Sequence, residues 1–308
     1  MKPSTILNWE RNIQQAISLA HNDPLGNIDL KKVADKLCVS ADILSHKFTE
    51  ICQEPYIRFV NRSRLEAGAG LLRHSGFSIR EISERCGYTN SSFTKAFRAR
   101  FDASPTSFRD MLLLPNEIAT LERTKIITSP YDRHMADIFT TDRTEDTRLP
   151  NYTLYYNILP RSDDPVRNMV VYMATYSQQL RAITASIATH EAMVITGTLD
   201  VVPVTTYGRM MMYVGLLLPN TPQNNMAHLS IQLSFQEAFG LVTRQIPGGH
   251  YKKLSVPMSF VAAGLPMYEF INNSCRASHF KMSGNHFFIS LTGINECDIF
   301  IPWQKRGY

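Results

Sequence analysis

The chain has 308 residues, about twice the ~150 residues typical of one domain, so we expect two domains. Hydrophobic residues make up 44% of the sequence and charged residues 19%, a balance that excludes wholesale disorder. The net charge of +5 is unevenly spread, because residues 55–100 carry nine basic and three acidic side chains. Such a local excess can attract a polyanion, although a basic helix face is often plain solvated surface.

The apolar runs and the cysteines exclude further classes of protein. The longest apolar run, residues 210–218, is about half of the ~20 residues that a transmembrane helix needs. The first residues show no signal-peptide pattern. The five cysteines form no C-x-x-C pair, which argues against a disulfide framework and against a zinc site. We therefore expect a cytoplasmic protein with free, buried thiols and no membrane partner.

The first third of the sequence is predicted to be helical, because apolar residues recur at spacings of three and four. A long helix is expected over residues 56–74. Ser78 and Glu81 form the sequence signature of a capping box, so a new helix is predicted to begin at Ile79. Ser104 and Pro105 open a last short helix in the same way.

The apolar pattern of this region occurs twice, with an offset of 49 residues. The matching pairs are Leu30 with Ile79, Val33 with Ile82, Leu37 with Cys86, Val39 with Tyr88, Leu44 with Phe93, Phe48 with Phe97, and Phe59 with Phe108. Each copy consists of a short helix, a turn and a second helix with an apolar inner face. This pattern predicts two helix-turn-helix units.

The spacing of the two units suits duplex DNA. A connecting helix of about 19 residues is roughly 29 Å long. Consecutive major-groove faces of B-DNA lie about 34 Å apart. One chain could thus place both second helices in adjacent major grooves on one side of the duplex. A generic helical bundle with accidental self-similarity is the alternative.

Several spaced blocks of this region resemble the AraC/XylS family. They are RLEA at 64–67, SIREI at 78–82, CGY at 86–88, FTKAFR at 93–98 and SPxxFR at 104–109. The match covers roughly residues 5–115 and implies a sequence-specific, DNA-binding transcription regulator. Gln53 stands where the family usually has Gly, so the first recognition helix is expected to lack a left-handed cap. The second turn, before Phe93, is one residue shorter than is usual.

The outward residues at the start of each second helix are the predicted DNA contacts, and the resemblance places the family's base contacts on the same set. The predicted base contacts are Asp42, Ser45, His46, Asn90, Ser91, Thr94 and Lys95. Lys95 suits a guanine edge, Asn90 an adenine edge, and Asp42 the cytosine amino group. The predicted phosphate contacts are Ser40, Lys47, Thr89, Arg98 and Arg100. For each polar residue, simple solvation is the alternative.

From residue 151 the order strand, helix, strand, strand is predicted twice, which indicates an α+β domain of two pseudo-repeated halves. The chain is thus divided into an all-α double helix-turn-helix domain (1–112), a linker or irregular segment (113–150) and this second domain (151–308). The blocks QIPGGHY at 245–251, GNHFF at 284–288 and DIFIP at 298–302 resemble a GyrI-like effector-binding domain.

The GyrI-like resemblance implies a ligand site in the second domain. Phe288 stands where family members often have a glutamate that binds cationic ligands, so an apolar or neutral effector, or a protein partner, is expected instead. Tyr155, Tyr213, Tyr268 and Phe288 are predicted to line a cavity between the halves. Ordinary core packing is the alternative for each of them.

Motifs of catalysis are missing from the sequence. It has no G-x-S-x-G elbow, P-loop, GxGxxG or H-E-x-x-H, so we expect neither an enzyme nor a bound cofactor or metal. Double-stranded DNA is the expected partner, with RNA polymerase and a small effector as further candidates. The alternative is a ligand-binding or hydrolytic GyrI-like protein whose helical part mediates protein contacts.

Overall fold

The computed structural model of the chain describes residues 3–23, 29–124, 138–187, 191–234, 241–277, 279–293 and 295–304. The chain forms two compact units. Residues 1–72 and 77–110 belong to the first unit, and residues 73–76 and 111–308 to the second. Among the described helices, none combines the length and the apolar character needed to cross a bilayer.

The first unit is built from helices, as the sequence predicts. They are α1 (Pro3–Asn22), α2 (Leu30–Lys36), α3 (Ala41–Cys52), α4 (Tyr56–His74), α5 (Ile79–Arg85), α6 (Asn90–Phe101) and α7 (Pro105–Asp110). The inner faces of α3 and α6 carry fully buried aromatic side chains, Phe48 and Phe93 among them. Phe48 packs against Phe59 of α4, and Phe97 of α6 packs against Phe108 of α7.

The 49-residue repeat is present in the backbone. The helices α2 and α5 have equal lengths, and α3 and α6 begin and end 49 residues apart. The side chain of Ser40 caps α3 by accepting a hydrogen bond from the backbone N–H of Ile43, and Thr89 caps α6 through Ser92. The capping box of Ser78 and Glu81 is also formed.

Two pairs of equivalent residues share the left-handed conformation. In the turns, Cys38 has φ 54° where the second copy has Gly87 at φ 69°. After the recognition helices, Gln53 has φ 55° and Asp102 has φ 53°. The expectation that α3 lacks a left-handed cap is therefore wrong. The chain must reverse after α3, and the surrounding packing holds Gln53 in a conformation that costs an L-residue about 1 kcal/mol.

In its described residues, the second unit combines four α-helices with an antiparallel sheet. Its helices are α8 (Pro115–Thr124), α9 (Pro165–Ser186), α10 (Asn225–Ser234) and α11 (Phe260–Arg276). Its strands are β1 (Glu145–Leu149), β2 (Tyr152–Ile158), β3 (Met193–Thr198), β4 (Met212–Pro219), β5 (Val242–Ile246), β6 (Gly249–Val256), β7 (Lys281–Met282), β8 (Phe288–Leu291) and β9 (Cys297–Gln304). The sequence also predicts a strand over residues 239–246, of which residues 239 and 240 lie outside the described part of the chain.

Residues 113–150 are not simply a linker, because they contain α8 and β1. The helix α8 is amphipathic, and it buries Leu121 and Thr120. The strand β1 is mostly exposed and polar, so no alternation of apolar residues marks it in the sequence. Its pairing with β6 is made through the backbone. The second unit accordingly begins at Met111, and residues 125–137 of this segment lie outside the described part of the chain.

The sheet repeats one strand order in two halves, as predicted. In the first half β2 pairs with β4 and β4 with β3; in the second, β6 pairs with β9 and β9 with β8. The strands β3 and β8 join the halves on one side. The helix α9 covers the first half through Met169 and Leu180, and α11 covers the second through Ala263 and Ile271.

The strand pairing closes into a ring. Only residues 150–151 separate β1 from β2, and only residues 247–248 separate β5 from β6. The antiparallel register of Leu149 with Gly249 continues without a shift into that of Tyr152 with Ile246. The joined strands β1–β2 and β5–β6 therefore pair along their length, and the sheet forms a closed six-stranded barrel.

The close approach of α4 and α6 at Gly68 gives a stability prediction. A Cβ at this position would lie 2.8 Å from the buried ring of Phe93. We therefore expect Gly68→Ala to destabilise the first unit by about 1–3 kcal/mol, measured by urea unfolding. The matched control is Gly264→Ala in α11, where no described atom lies within 4 Å of the new Cβ. This change should stabilise the second unit by about 0.5–1 kcal/mol. Equal effects of the two changes would contradict the close approach.

Candidate nucleic-acid interface

The outward faces of α3 and α6 carry most of the predicted base contacts. The buried side chains of Leu44 and Phe48 form the inner face of α3, and those of Phe93 and Phe97 form the inner face of α6. The exposed residues of the predicted set are Asp42, His46, Asn90, Ser91 and Lys95. Ser45 and Thr94 are half-buried and lie nearer the core side of their helices, and the hydroxyl of Thr94 donates to the backbone oxygen of Asn90 at 2.9 Å.

The predicted phosphate contacts have different surroundings. Arg98 is exposed, whereas the side chain of Arg100 forms an ion pair with Glu66 and remains 36% exposed. Lys47 donates to Glu50 at 2.6 Å, and this hydrogen bond lowers the pKa of the Glu50 carboxyl. The hydroxyls of Ser40 and Thr89, which cap α3 and α6, lie at the exposed helix N-termini where phosphate oxygens bind readily.

The two recognition helices differ in charge. The helix α6 carries Lys95, Arg98 and Arg100 and no acidic residue. The helix α3 carries Asp42 and Glu50 against a single lysine. The electrostatic attraction for a polyanion therefore comes mainly from α6.

The basic character expected along α4 is largely used inside the protein. Arg62 is buried between two carboxylates, and Arg73 is buried against Glu117 at 2.6 Å within the second unit. Arg64 donates to the backbone oxygens of Cys86 and Gly87 and lies over a tyrosine ring. Of the four arginines in the sequence of α4, only Arg58 is exposed. The local charge excess thus overstates the charge available to DNA.

A buried ion network connects the two recognition helices to α4. Glu54 follows α3 and accepts hydrogen bonds from Arg62, the shortest at 2.6 Å. Arg62 also donates to Glu66 at 2.8 Å, and Glu66 accepts from Arg100 of α6. The side chain of Glu66 is only 2% exposed. Because a buried carboxylate requires its cationic partners, the network fixes α6 and the end of α3 on the same helix.

Ile43 is an exposed residue of this surface that the sequence analysis missed. It follows Asp42 in the first turn of α3, on the side away from Leu44 and Phe48, and it is 51% exposed. Hydropathy alone assigns an isoleucine to the core. The signal that marks Ile43 as outward is its position, which departs from the spacing of the buried residues Leu44 and Phe48. An exposed isoleucine beside polar residues suits contact with an apolar group in a groove.

Comparison with known proteins agrees with this geometry. The family described as a helix-turn-helix domain matches residues 33–111. The HTH-type transcriptional activator RhaS of Citrobacter koseri is 36% identical over 103 residues, covering 33% of this chain and 37% of that protein. The Xylose operon regulatory protein of Escherichia coli K12 is 30% identical over 98 residues, covering 32% of this chain and 25% of that protein.

Residues 33–111 therefore match an AraC-type helix-turn-helix domain. The chain spans about a quarter to somewhat over a third of the length of these curated relatives. Among solved structures, the C-terminal domain of AraT from Geobacillus stearothermophilus matches at 28% identity and a TM-score of 0.32, covering 33% of this chain and 87% of that one. The integron cassette protein VCH_CASS2 of Vibrio cholerae matches at 13% identity and a TM-score of 0.33, covering 52% and 95%.

Beyond the AraC-type domain, the predicted cavity residues do not lie together. Tyr213 and Phe288 both belong to an aromatic cluster inside the barrel, where Tyr251 lies 5.9 Å from Phe288 between ring centroids. The hydroxyl of Tyr213 is hydrogen-bonded to His286 at 2.8 Å, and burial raises the pKa of this tyrosine.

Tyr155 and Tyr268 lie elsewhere in the second unit. Tyr155 packs in the core beneath α9. Tyr268 lies in α11 with its ring edge-on to His74, and burial raises its pKa to about 12. Among the residues that the structure describes, no group of three or more His, Cys, Asp and Glu side chains is placed to hold a metal ion.

The buried network of the AraC-type domain gives a stability prediction. Replacing Glu66 by Gln removes the charge that two arginines share, and we expect a loss of about 2–3 kcal/mol in the free energy of unfolding. The control is Glu84→Gln, which weakens an i,i+4 pair with Arg80 whose side chains are 59% and 81% exposed. That loss should stay below about 0.5 kcal/mol. Urea unfolding measures the free energy of unfolding of both variants. Similar losses would show that the buried network contributes no more than an exposed ion pair.

Proposed function

We propose that the protein is a cytoplasmic transcription regulator that binds DNA through two recognition helices in consecutive major grooves. The observation that carries this proposal is the backbone repeat, because α3 and α6 are equivalent helices in two equivalent units. Each presents an exposed polar N-terminal half, as a recognition helix must. The names of the related regulators support the same reading.

The charge difference between the helices suggests a division of roles. We assign the electrostatic contribution to α6, where Lys95 would read a guanine edge and Arg98 would hold a phosphate. The helix α3 would contribute less attraction and more discrimination. Asp42 would accept from a cytosine amino group and repel phosphates in a wrong register.

Ile43 gives α3 an apolar contact. We assign its side chain to the C5-methyl group of a thymine, the apolar feature that the major groove offers. The exposed position of Ile43 and its place between Asp42 and His46, both predicted base contacts, support this assignment.

The second unit is assigned a regulatory role rather than a catalytic one. Its duplicated halves and closed barrel support a GyrI-like domain that senses a small effector or contacts a partner such as RNA polymerase. The aromatic interior around Tyr213 and Phe288 would suit an apolar or neutral ligand, in keeping with the lack of a carboxylate at position 288.

Selection of bound sites from a random oligonucleotide pool tests the proposed function. The selected sites should contain two conserved segments about 10 base pairs apart, centre to centre, because α3 and α6 would enter adjacent major grooves. Footprinting should show both segments protected by one molecule. Protection of a single short segment, or of none, would overturn the proposal.

The same sites test the role of α6. Arg98→Ala should reduce the slope of log K against log salt by about one, as expected for one lost phosphate contact. Arg80→Ala serves as the control, because Arg80 is also exposed but lies on α5 and pairs with Glu84. Equal slopes for both variants would remove Arg98 from the interface.

Ile43 is tested with deoxyuridine, which lacks the thymine methyl group. Ile43→Ala should weaken binding to the selected site about fourfold. This corresponds to ~0.8 kcal/mol, the free energy of burying about one methylene's worth of apolar surface against the thymine methyl group. Substituting deoxyuridine for the contacted thymine should give a similar loss in the parent protein and almost none in the variant. Ile57→Ala, which truncates another exposed isoleucine, is the control. Additive losses at every thymine would contradict the contact.

A further inference from the structure

A cavity of about 430 Å³ opens on the outside of the barrel, between strands β2 and β5 and helix α10. Its position differs from that of the aromatic interior, because neighbouring residues of β2 point to opposite faces. Tyr155 lines this outer cavity, whereas the next residue, Tyr156, contacts the interior residue Tyr213. The volume falls within the range of about 300–1,000 Å³ that is typical of small-molecule sites.

The lining of this cavity is polar and nearly free of formal charge. Four side-chain amides and three threonines contribute to it, with one tyrosine, one histidine and one proline. Of the described residues that line the cavity, none is Asp, Glu, Lys or Arg. A charged ligand would lose hydration without gaining a charged partner, and an apolar ligand would leave the amides without hydrogen bonds.

The sheet side of the cavity is held rigid by a cycle of hydrogen bonds. Thr153 donates to the Asn220 amide oxygen at 2.8 Å. The Asn220 amide nitrogen donates to the Gln245 oxygen at 3.0 Å, and the Gln245 nitrogen donates to Thr153 at 3.1 Å. Because each amide nitrogen has two hydrogens and the cycle uses one, Asn220 and Gln245 each keep a donor for a ligand.

The helix side of the cavity is also oriented. The ring of His228 is hydrogen-bonded to the Tyr155 hydroxyl at 3.0 Å and to the Pro219 backbone oxygen at 3.2 Å. One turn further along α10, the exposed amide of Gln232 lies beside the same tyrosine. The sheet wall thus presents two oriented amides, and the helix wall presents an oriented histidine and the exposed amide of Gln232.

We propose that this cavity binds a neutral polyhydroxylated molecule of the monosaccharide or sugar-alcohol class. Hydroxyl groups donate and accept at one atom, and this matches an amide-lined wall better than carboxylates, phosphates or ammonium groups do. The inference uses the second unit alone, so it does not rest on the proposed DNA binding.

Ligand-detected NMR of the full chain tests the ligand class. The probes are neutral pentoses, hexoses and sugar alcohols. Each is used at about 10 mM, so that binding with a Kd in the millimolar range is detected. The corresponding sugar phosphates and uronic acids are the charged comparison. At least one neutral probe should bind, and its charged counterparts should bind at least about tenfold more weakly. Failure of every neutral probe, or equal binding of the charged ones, would overturn the proposal.

Two variants locate the site, one on each wall. Gln232→Ala and Gln245→Ala should each weaken binding of the neutral probe about fivefold, as expected for one lost hydrogen bond. Gln223→Ala removes an exposed amide outside the lining and should leave binding unchanged. Binding that survives both cavity variants would place the probe elsewhere and refute the proposal. Gel-shift titration of the same variants should show unchanged DNA affinity, so a failure of this inference is distinguishable from a failure of DNA binding.

Discussion

The buried carboxylate of Glu66 is the interaction on which the geometry of the first unit depends. It is shared by Arg62 on its own helix and by Arg100 on α6, and Arg62 is in turn held by Glu54 at the end of α3. Removal of any member would leave an uncompensated charge in the core. The two helix-turn-helix units are therefore connected by a buried ion network as well as by the helix α4, and they are not independent modules. They share one electrostatic centre, and the relative orientation of their reading helices follows from it.

This arrangement explains why a basic region yields a modest basic surface. The arginines of α4 hold the protein together, and attraction for a polyanion is left to α6. The helix α3, with Asp42 and Glu50 exposed, would add selectivity in the proposed interface. A DNA-binding domain with one basic and one discriminating helix would gain affinity from phosphate contacts and specificity from contacts with base edges. These two contributions to binding respond differently to salt concentration. The second unit contributes a neutral polar cavity that lies apart from the aromatic interior of its barrel.

The repeat made most of the first unit predictable, since Leu44 and Phe93 mark the same inward direction 49 residues apart. The same apolar pattern did not identify Ile43 as a surface residue, because hydropathy does not distinguish a core isoleucine from an exposed one. Charge counting failed for Arg62 and Arg73, because the sequence does not show that these side chains are buried against carboxylates, Arg62 against Glu54 and Glu66 and Arg73 against Glu117 on α8. The strand β1 escaped detection because its residues are polar and mostly exposed, so no alternation of apolar side chains marks it. The outer cavity could not be inferred, since its lining residues come from segments up to 92 residues apart, such as Thr153 and Gln245, that only the folded structure brings together.

The closed barrel has a consequence for the order in which the chain can fold. The strand β9 follows the other strands in chain order, yet it pairs with both β6 and β8 and so completes the ring. During synthesis the barrel must wait for that strand, whereas the contacts of the helical unit are already available. The nascent chain thus passes through a stage in which the helical unit is assembled and the barrel is not. Throughout that stage, the edges of β6 and β8 that β9 later covers are unpaired.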